Sequence, residues 1–515
     1  LFRSILSGFG RVNYNYNMKY LLSFTARYDG ISRLKDNRWG FFPGVSVGWN
    51  IMEEDFWKES KVSDIVSNLK PRLSYGVNGN VNGIGNYEVY GEYAQVDAKT
   101  YGGATALYNK KLLNTNLRWE QSQTFEVGLD IGFLQNRLSF ILDFYSRRTK
   151  DLLTKQALPG YTGFSDIVTN MGTLRNSGFE AEVKANIINK GGFTWDMTAN
   201  ITSVANKIIS LPYNNVENNR VGGYEVAAGK VDADGKFPTK WIAGRQEGGK
   251  LGELVGYRQQ HVFKDWDDVK QHANLRVDEV ANLYGPGLAD QINPATGKTY
   301  KESSGWQPIE PGDACWEDIN GDNIINGYDR SVMGNIFPNV TGGFSTTFGY
   351  KGLSLYARFD YALGHTLYND LKARSLGQYQ GQFNIITDVK DMWSEANPNS
   401  DLTKFYYADQ LAKKNITRSN NASTAADNNS SRYYEKGDYL ALREITLSYQ
   451  LPKSLISKAH LTEASVYVTG QNLFYITGYD GVSPEPAVST TYGRGIDNGR
   501  YPTPRTFLFG LSLTF

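Results

Sequence analysis

From Thr506 the chain reads Thr-Phe-Leu-Phe-Gly-Leu-Ser-Leu-Thr-Phe and ends there. Phe507, Phe509, Leu511, Leu513 and Phe515 take one phase of the alternation, and Thr506, Leu508, Gly510, Ser512 and Thr514 take the other. A period of two with one wholly apolar phase marks a strand that buries one face. The opposite face is small and hydroxylic. That suits a wet lumen, while the apolar face suits lipid, and the aromatic carboxy terminus reads as a barrel assembly signal. A strand of a soluble sandwich would explain this segment taken alone. What separates the two readings is recurrence.

The pattern recurs along the whole chain. Leu22, Phe24, Ala26 and Tyr28 alternate with Ser23, Thr25, Arg27 and Asp29. Phe125, Val127, Leu129, Ile131 and Phe133 alternate with Glu126, Gly128, Asp130 and Gly132, and Leu138, Phe140, Leu142 and Phe144 with Ser139, Ile141, Asp143 and Tyr145. Further strands are predicted at 3–15, around Val45–Trp49, at Arg72–Gly79, and at 168–186, 192–206, 336–350, 352–365, 438–451, 463–477 and 502–515. Tight turns such as Gln135-Asn136 and Tyr350-Lys351-Gly352 alternate with long polar excursions at 78–116, 150–167, 207–335, 366–437 and 478–501. Outer-membrane barrels show this asymmetry, with short turns in the periplasm and long loops outside. If the last strand runs down to the periplasm, every long loop lands at the cell surface.

Composition agrees with that class. Only 40% of the 515 residues are hydrophobic, mean hydropathy is -0.46, and no apolar run approaches the roughly 18 residues of a spanning helix. A barrel strand needs only about ten alternating residues. The 34 Tyr, 25 Phe and 10 Trp serve interfacial girdles or sugar-binding surfaces. A net charge of +1 gives no electrostatic case for nucleic acid. A single cysteine, Cys315, rules out an intrachain disulfide.

A charge on the lipid face near midplane costs about 2–4 kcal/mol. Arg27, Asp29, Glu126, Asp130, Asp143, Arg358, Asp360 and Glu444 are therefore expected to face the lumen. The strands number about thirteen, whereas bacterial single-chain barrels use even numbers, and an open edge in lipid strands backbone groups at several kcal/mol each. The expectation is an all-β, transmembrane antiparallel barrel of which this chain is the C-terminal part.

One local motif is sharp. Asp318-Ile-Asn-Gly-Asp-Asn-Ile-Ile-Asn-Gly-Tyr-Asp329 offers oxygens at loop positions 1, 3, 5 and 12 from Asp318, Asn320, Asp322 and Asp329, with the Ile324 carbonyl at position 7. Hard Ca²⁺ takes oxygens at this spacing. Asn323 stands where the EF-hand has Gly, and Asp329 where it has Glu. The alternative is an Asx-rich turn bound to its own backbone. His261, His272, His365 and His460 are scattered without a metal-binding pair such as H-x₃-H, and no nucleophile elbow or phosphate loop occurs. The chain does not read as an enzyme. Trp266, Trp306, Trp316, Tyr406, Tyr407, Tyr433 and Tyr434 fall in the outer loops and are candidates for stacking on sugar rings, against the alternative of packing the loops together.

Several stretches carry a family resemblance in order and spacing. They include Gly10-Arg-Val-Asn-Tyr-Asn-Tyr, Asn37-Arg-Trp-Gly-Phe-Phe-Pro-Gly-Val-Ser-Val-Gly-Trp, Leu73-Ser-Tyr-Gly-Val-Asn-Gly-Asn, Asn170-Met-Gly-Thr-Leu-Arg-Asn-Ser-Gly-Phe-Glu, Asp318-Ile-Asn-Gly-Asp, Tyr439-Leu-Ala-Leu-Arg and Gly470-Gln-Asn-Leu-Phe. Over essentially its whole length the chain resembles the SusC/RagA group of TonB-dependent outer-membrane transporters. The resemblance implies a barrel of about 22 strands around an N-terminal plug. It places Leu1 part-way round that barrel and puts the plug and the TonB-interacting segment outside this sequence. It also implies a SusD-like surface lipoprotein as a lid, energy supplied through TonB, and an oligosaccharide cargo, with peptide as the alternative. A dimer of transporter–lid pairs is left open. A passive porin and a surface binding protein anchored by the barrel are the competing classes.

Overall fold

Thirteen segments pair in chain order into one antiparallel sheet. They are β1 (Ile5–Tyr16), β2 (Tyr20–Ile31), β3 (Trp39–Trp49), β4 (Val66–Asn80), β5 (Glu120–Phe133), β6 (Leu138–Ala157), β7 (Asp166–Lys190), β8 (Phe193–Ser210), β9 (Val340–Tyr350), β10 (Leu353–Leu363), β11 (Tyr439–Gln450), β12 (Glu463–Thr477) and β13 (Thr506–Thr514). The computed structural model describes residues 4–86, 88–101, 104–277, 283–294, 296–302, 307–378, 384–405, 430–485, 495–499 and 501–515. Each expected strand has its counterpart. The chain belongs to the all-β class, and its main sheet is the wall of an antiparallel barrel.

Register keeps the two phases apart from strand to strand. Phe24 pairs with Val45, Val45 with Tyr75, Tyr75 with Phe125, Val127 with Phe144 and Phe144 with Phe179. At the far edge Phe509 pairs with Val468 and Leu511 with Val466. Directly opposed residues project to the same side, so these side chains form one continuous outward apolar face. Phe507, Phe509, Leu511 and Phe515 are more than half exposed on it, as a surface that meets hydrocarbon must be.

Aromatic residues bracket this face. On β2 and β3, Tyr28 stacks on Trp39 with centroids 4.9 Å apart, and at the other end Tyr20 lies between Tyr16 and Trp49 at 6.4 and 6.5 Å. Tyr20 and Tyr28 are eight residues apart, about 27 Å of strand. A tilt near 40° reduces that to about 21 Å, close to the roughly 25 Å apolar band of an outer-membrane barrel.

Connections at the Tyr20 end are tight where the backbone can enter left-handed space. Lys351 and Gly352 have φ of 47° and 89°, and Gly191 and Gly192 have 66° and 80°. Positive φ at both central residues is the type I′ hairpin signature. Two connections on this side are longer than a tight turn. Residues 50–65 and 451–462 each carry a short helix, Asp55–Lys58 and Lys453–Ile456. Lys19 and the Trp49 indole both reach Glu54 at 3.0 Å and pin the first of these.

All the long loops leave the opposite end. The expected excursion at 150–167 is mostly strand, because β6 and β7 run on for 20 and 25 residues. Above the membrane neither face needs to be apolar, so the alternation that marks a strand is lost there. Residues between β8 and β9 fold around their own core of Tyr257, Phe263, Val269, Cys315, Trp316 and Ile325. Residues between β10 and β11 pack around Tyr368, Leu376, Met392 and Tyr433. Tyr434 Oη donates to the Val255 carbonyl at 2.7 Å, Gln259 N to Ser431 Oγ at 3.0 Å, and the Trp393 indole to the Lys264 carbonyl at 3.1 Å. These bonds join the two loops into a single cap.

Candidate functional site: the inner wall and the loops above it

Through the apolar span of β4 to β6 the inward phase carries charge and the outward phase carries none. Arg72 of β4 is opposite Gly128 of β5, which is opposite Asp143 of β6. Gly128 has no side chain, so the guanidinium crosses above it. Nε bonds Asp130 and Nη2 bonds Asp143, both at 2.9 Å, and Nη1 lies 3.7 Å from Glu126. Lys70 adds a second cation to Asp130 at 2.8 Å. Three expected lumen carboxylates, on two strands, thus share one arginine. Neither Arg72 nor Lys70 was among the expected residues, although both alternate with Pro71 and Leu73 and so announce an inward phase.

A second hub depends on a bulge. Regular pairing of β11 breaks at Arg443, with Leu442 and Glu444 in register on both neighbouring strands and Asn472 of β12 at φ 52°. A bulge inserts a residue and re-aims its side chain. Arg443 therefore turns inward beside Glu444, which regular alternation forbids for neighbours. Its Nε bonds Asp360 at 3.0 Å, Nη1 bonds Tyr475 Oη at 3.1 Å, and Nη2 bonds Glu485. The hub ties the wall to the loop between β12 and β13. The adjacent pair Arg443-Glu444 falls where the alternation of β11 breaks. Arg358 stands opposite Glu444, which accepts a hydrogen bond from Thr446 at 3.2 Å.

Near the loop end, a concavity of about 390 Å³ opens between Arg27, Asp29, Phe42, Asn78, Asn80, Asn82 and Trp119. Arg27 Nε holds Asp29 at 2.6 Å, and Phe42 meets Trp119 edge-on at 5.3 Å. The Trp119 indole donates to the Arg38 carbonyl at 3.0 Å, which fixes the ring. Amides and one ion pair line this surface, and the two rings are buried beneath it.

The expected aromatic platform divides. Trp266 is 53% exposed at the start of the helix Trp266–Gln271, capped by Asp265. Trp316 is 2% exposed and Tyr433 4%. Both are core residues of the cap and present no face to a ligand, because the loops are long enough to need apolar cores of their own. Burial pushes the Tyr433 phenol well above its ordinary range. Tyr434 is half-buried, packed on Tyr368 at 5.1 Å. Trp306, Tyr406 and Tyr407 lie outside the described residues. Tyr161, Tyr213 and Tyr93, which the sequence did not single out, are 91, 71 and 79% exposed on the loop side.

The 318–329 loop closes on itself. Asp318 accepts from Gly321 N and Asn323 N at 2.7 and 2.8 Å, Asp322 from Ile324 N at 2.7 Å, and Asn320 from Asp322 N at 3.2 Å. Asp329, fully buried, accepts from Ile319 N and Asn326 N at 2.8 and 2.9 Å. Burial pushes its carboxyl up to about 6, and the charges of Asp318 and Asp322 add to the shift. Among the described residues no three His, Cys, Asp or Glu side chains converge as a metal-holding group. As placed, the oxygens of this loop serve its own N–H groups.

Residues 3–291 match the family model described as TonB dependent receptor-like, beta-barrel. The chain belongs to that family. Its outward face therefore meets the hydrocarbon of the outer membrane, and its cap lies at the cell surface. The chain is 30% identical over 519 residues to TonB-dependent receptor P3 of Formosa agariphila, covering 99% of this chain and 45% of that protein. It is 31% identical over 527 residues to TonB-dependent receptor SusC of Bacteroides thetaiotaomicron, covering 99% and 44%. The structure of the RagAB peptide transporter superposes with a TM-score of 0.72 at 23% identity, covering 100% of this chain and 48% of that one. The chain thus spans less than half the length of the curated relatives it matches, and RagAB shows the shared fold.

Proposed function

We propose that the complete protein imports oligosaccharides across the outer membrane, working with a SusD-like surface lipoprotein as a lid and energised through TonB. The observation that supports a glycan is the concavity at the loop end of the lumen. Asn78, Asn80 and Asn82 with the Arg27–Asp29 pair supply donors and acceptors for hydroxyl groups, over a floor of buried Phe42 and Trp119. Exposed Trp266, Tyr161 and Tyr213 add stacking surfaces on the loop side. The resemblance to SusC supports the same cargo. The wall supplies positioning, and no bond of the cargo is broken.

Uptake of labelled glycan and labelled peptide by cells with and without the gene tests the proposal. Glycan uptake that needs both the gene and an energised membrane is expected. Uptake of peptide alone would move the cargo to that of the RagAB peptide transporter. Steady open conductance of the intact protein in planar bilayers would make it a porin, and ligand binding without uptake would make it a surface receptor.

A further inference from the structure

Three cations line up on the outside of the barrel. Arg148 of β6 stands directly opposite Arg175 of β7, and Arg175 directly opposite Lys207 of β8. Directly opposed side chains share a face, and here it is the outward one. Arg148 lies four residues beyond Phe144 and Arg175 four before Phe179, whose rings meet at 4.7 Å in the apolar band. All three cations are exposed, and among the described residues none is held in an ion pair or side-chain hydrogen bond. The adjacent Arg147 behaves differently: it turns inward and donates to Thr124 Oγ1 at 3.3 Å.

Like charges directly opposite one another destabilise a sheet. The outward positions beside the row are Gln123, Ser146, Ser177 and Ala205, and none is a counter-ion. Asp151, the carboxylate nearest in sequence to Arg148, is engaged by Arg118 at 2.6 Å. Height supplies the second constraint. Arg148 lies ten residues along β6 from Leu138, where the apolar phase begins. That is about 34 Å of strand, or about 26 Å along the membrane normal at a tilt near 40°, against an apolar band of about 25 Å. The row therefore sits where outer-leaflet headgroups begin, directly above hydrocarbon-facing Phe144 and Phe179.

We propose that Arg148, Arg175 and Lys207 hold the phosphate of an anionic outer-leaflet lipid. Guanidinium forks match phosphate oxygens in pairs, and lysine adds a point charge. Strand spacing of about 4.8 Å places the three Cα atoms within about 10 Å, the span of one headgroup. The acyl chains then run down the apolar phase of the same strands. A lipid fits better than a protein partner because the row is continuous with the surface that lipid already covers.

Native mass spectrometry of the full-length protein in mild detergent, with added dioleoyl phosphatidic acid or phosphatidylcholine, tests this. Wild type is expected to retain phosphatidic acid over phosphatidylcholine. The triple variant Arg148→Gln, Arg175→Gln, Lys207→Gln is expected to lose about a hundredfold in that affinity. Arg147→Gln, with the same charge change on the other face, should lose none. If the triple variant fails to assemble, as read by heat-modifiable migration, Arg175→Gln alone should lose about fivefold. Undiminished retention in the charge-deleted variants would overturn the proposal. So would equal binding of inorganic phosphate, or loss of a co-purifying protein in place of the lipid.

Discussion

Arg72 reaches Asp143 at 2.9 Å by crossing over Gly128, the residue that separates them on the intervening strand. A Cβ at Gly128 would stand 2.7 Å from the Arg72 guanidinium carbon. Both neighbours are flexible side-chain ends, so Gly128→Ala is expected to break the bridge more than the backbone. The expected loss is about 1 kcal/mol, since the partners are partly solvated. Urea titration of heat-modifiable migration reads it, and an unchanged midpoint would mean the bridge adds nothing to stability.

Arg443→Met should free the loop between β12 and β13. Its partners Asp360 and Glu485 are 44% and 36% exposed, so water screens the orphaned carboxylates and the expected cost is about 1–2 kcal/mol. The sharper readout is limited proteolysis, with faster cleavage after residue 478 in the variant and little change elsewhere. Equal cleavage rates would separate the bulge from loop anchoring.

The two phases of β11 differ in what they tolerate. Leu447 faces outward opposite Leu355 and Val468, and Ser448 faces inward opposite Ser354 and Tyr467. Leu447→Arg is expected to cost about 2–4 kcal/mol in the bilayer and Ser448→Arg far less. Measured stability in lipid vesicles decides, and equal effects would contradict the assignment of faces.

Cys315 sits inside the cap core at 1% exposure, where burial pushes its thiol up to about 12. At pH 8 it stays protonated and shielded. A maleimide polymer should label it only after denaturant opens the cap, and prompt labelling of the native protein would show that the core is accessible.

Asp329 ties the 318–329 loop to pH. Its folded value of about 6 lies above the roughly 3.9 of a free aspartate, so the folded loop binds the extra proton. The stabilisation is present below about pH 4 and lost as pH rises through 6. Amide exchange at Ile319 and Asn326, corrected for intrinsic rate, should speed up across that interval, and Asp329→Asn should flatten the response. Because the loop satisfies its own N–H groups, chelation is expected to leave it closed. Calorimetric heat on adding millimolar Ca²⁺ would instead assign the loop oxygens to a cation.

Much of the wall was legible because lipid and water impose opposite demands on alternate residues. Every strand from Ile5–Tyr16 to Thr506–Thr514 carries that mark, and so do the inward positions of Asp130, Asp143 and Asp360. Where lipid ends, the mark ends, and the upper reaches of β6 and β7 passed for loop. The fates of Trp316 and Tyr433 were illegible for a related reason. A loop aromatic that stacks on ligand and one that fills a loop core have the same local sequence, and only distant neighbours such as Tyr257 and Tyr368 distinguish them.

The alternating pattern alone determined where the strands lie in the membrane span and which way most of their residues face, since it is local and repeats every two residues. Tertiary structure decided which charges share a partner, how a bulge turns Arg443 inward, and how separate loops become one cap. Those outcomes depend on register between strands and on contacts between segments far apart in the chain, which no period in the sequence encodes.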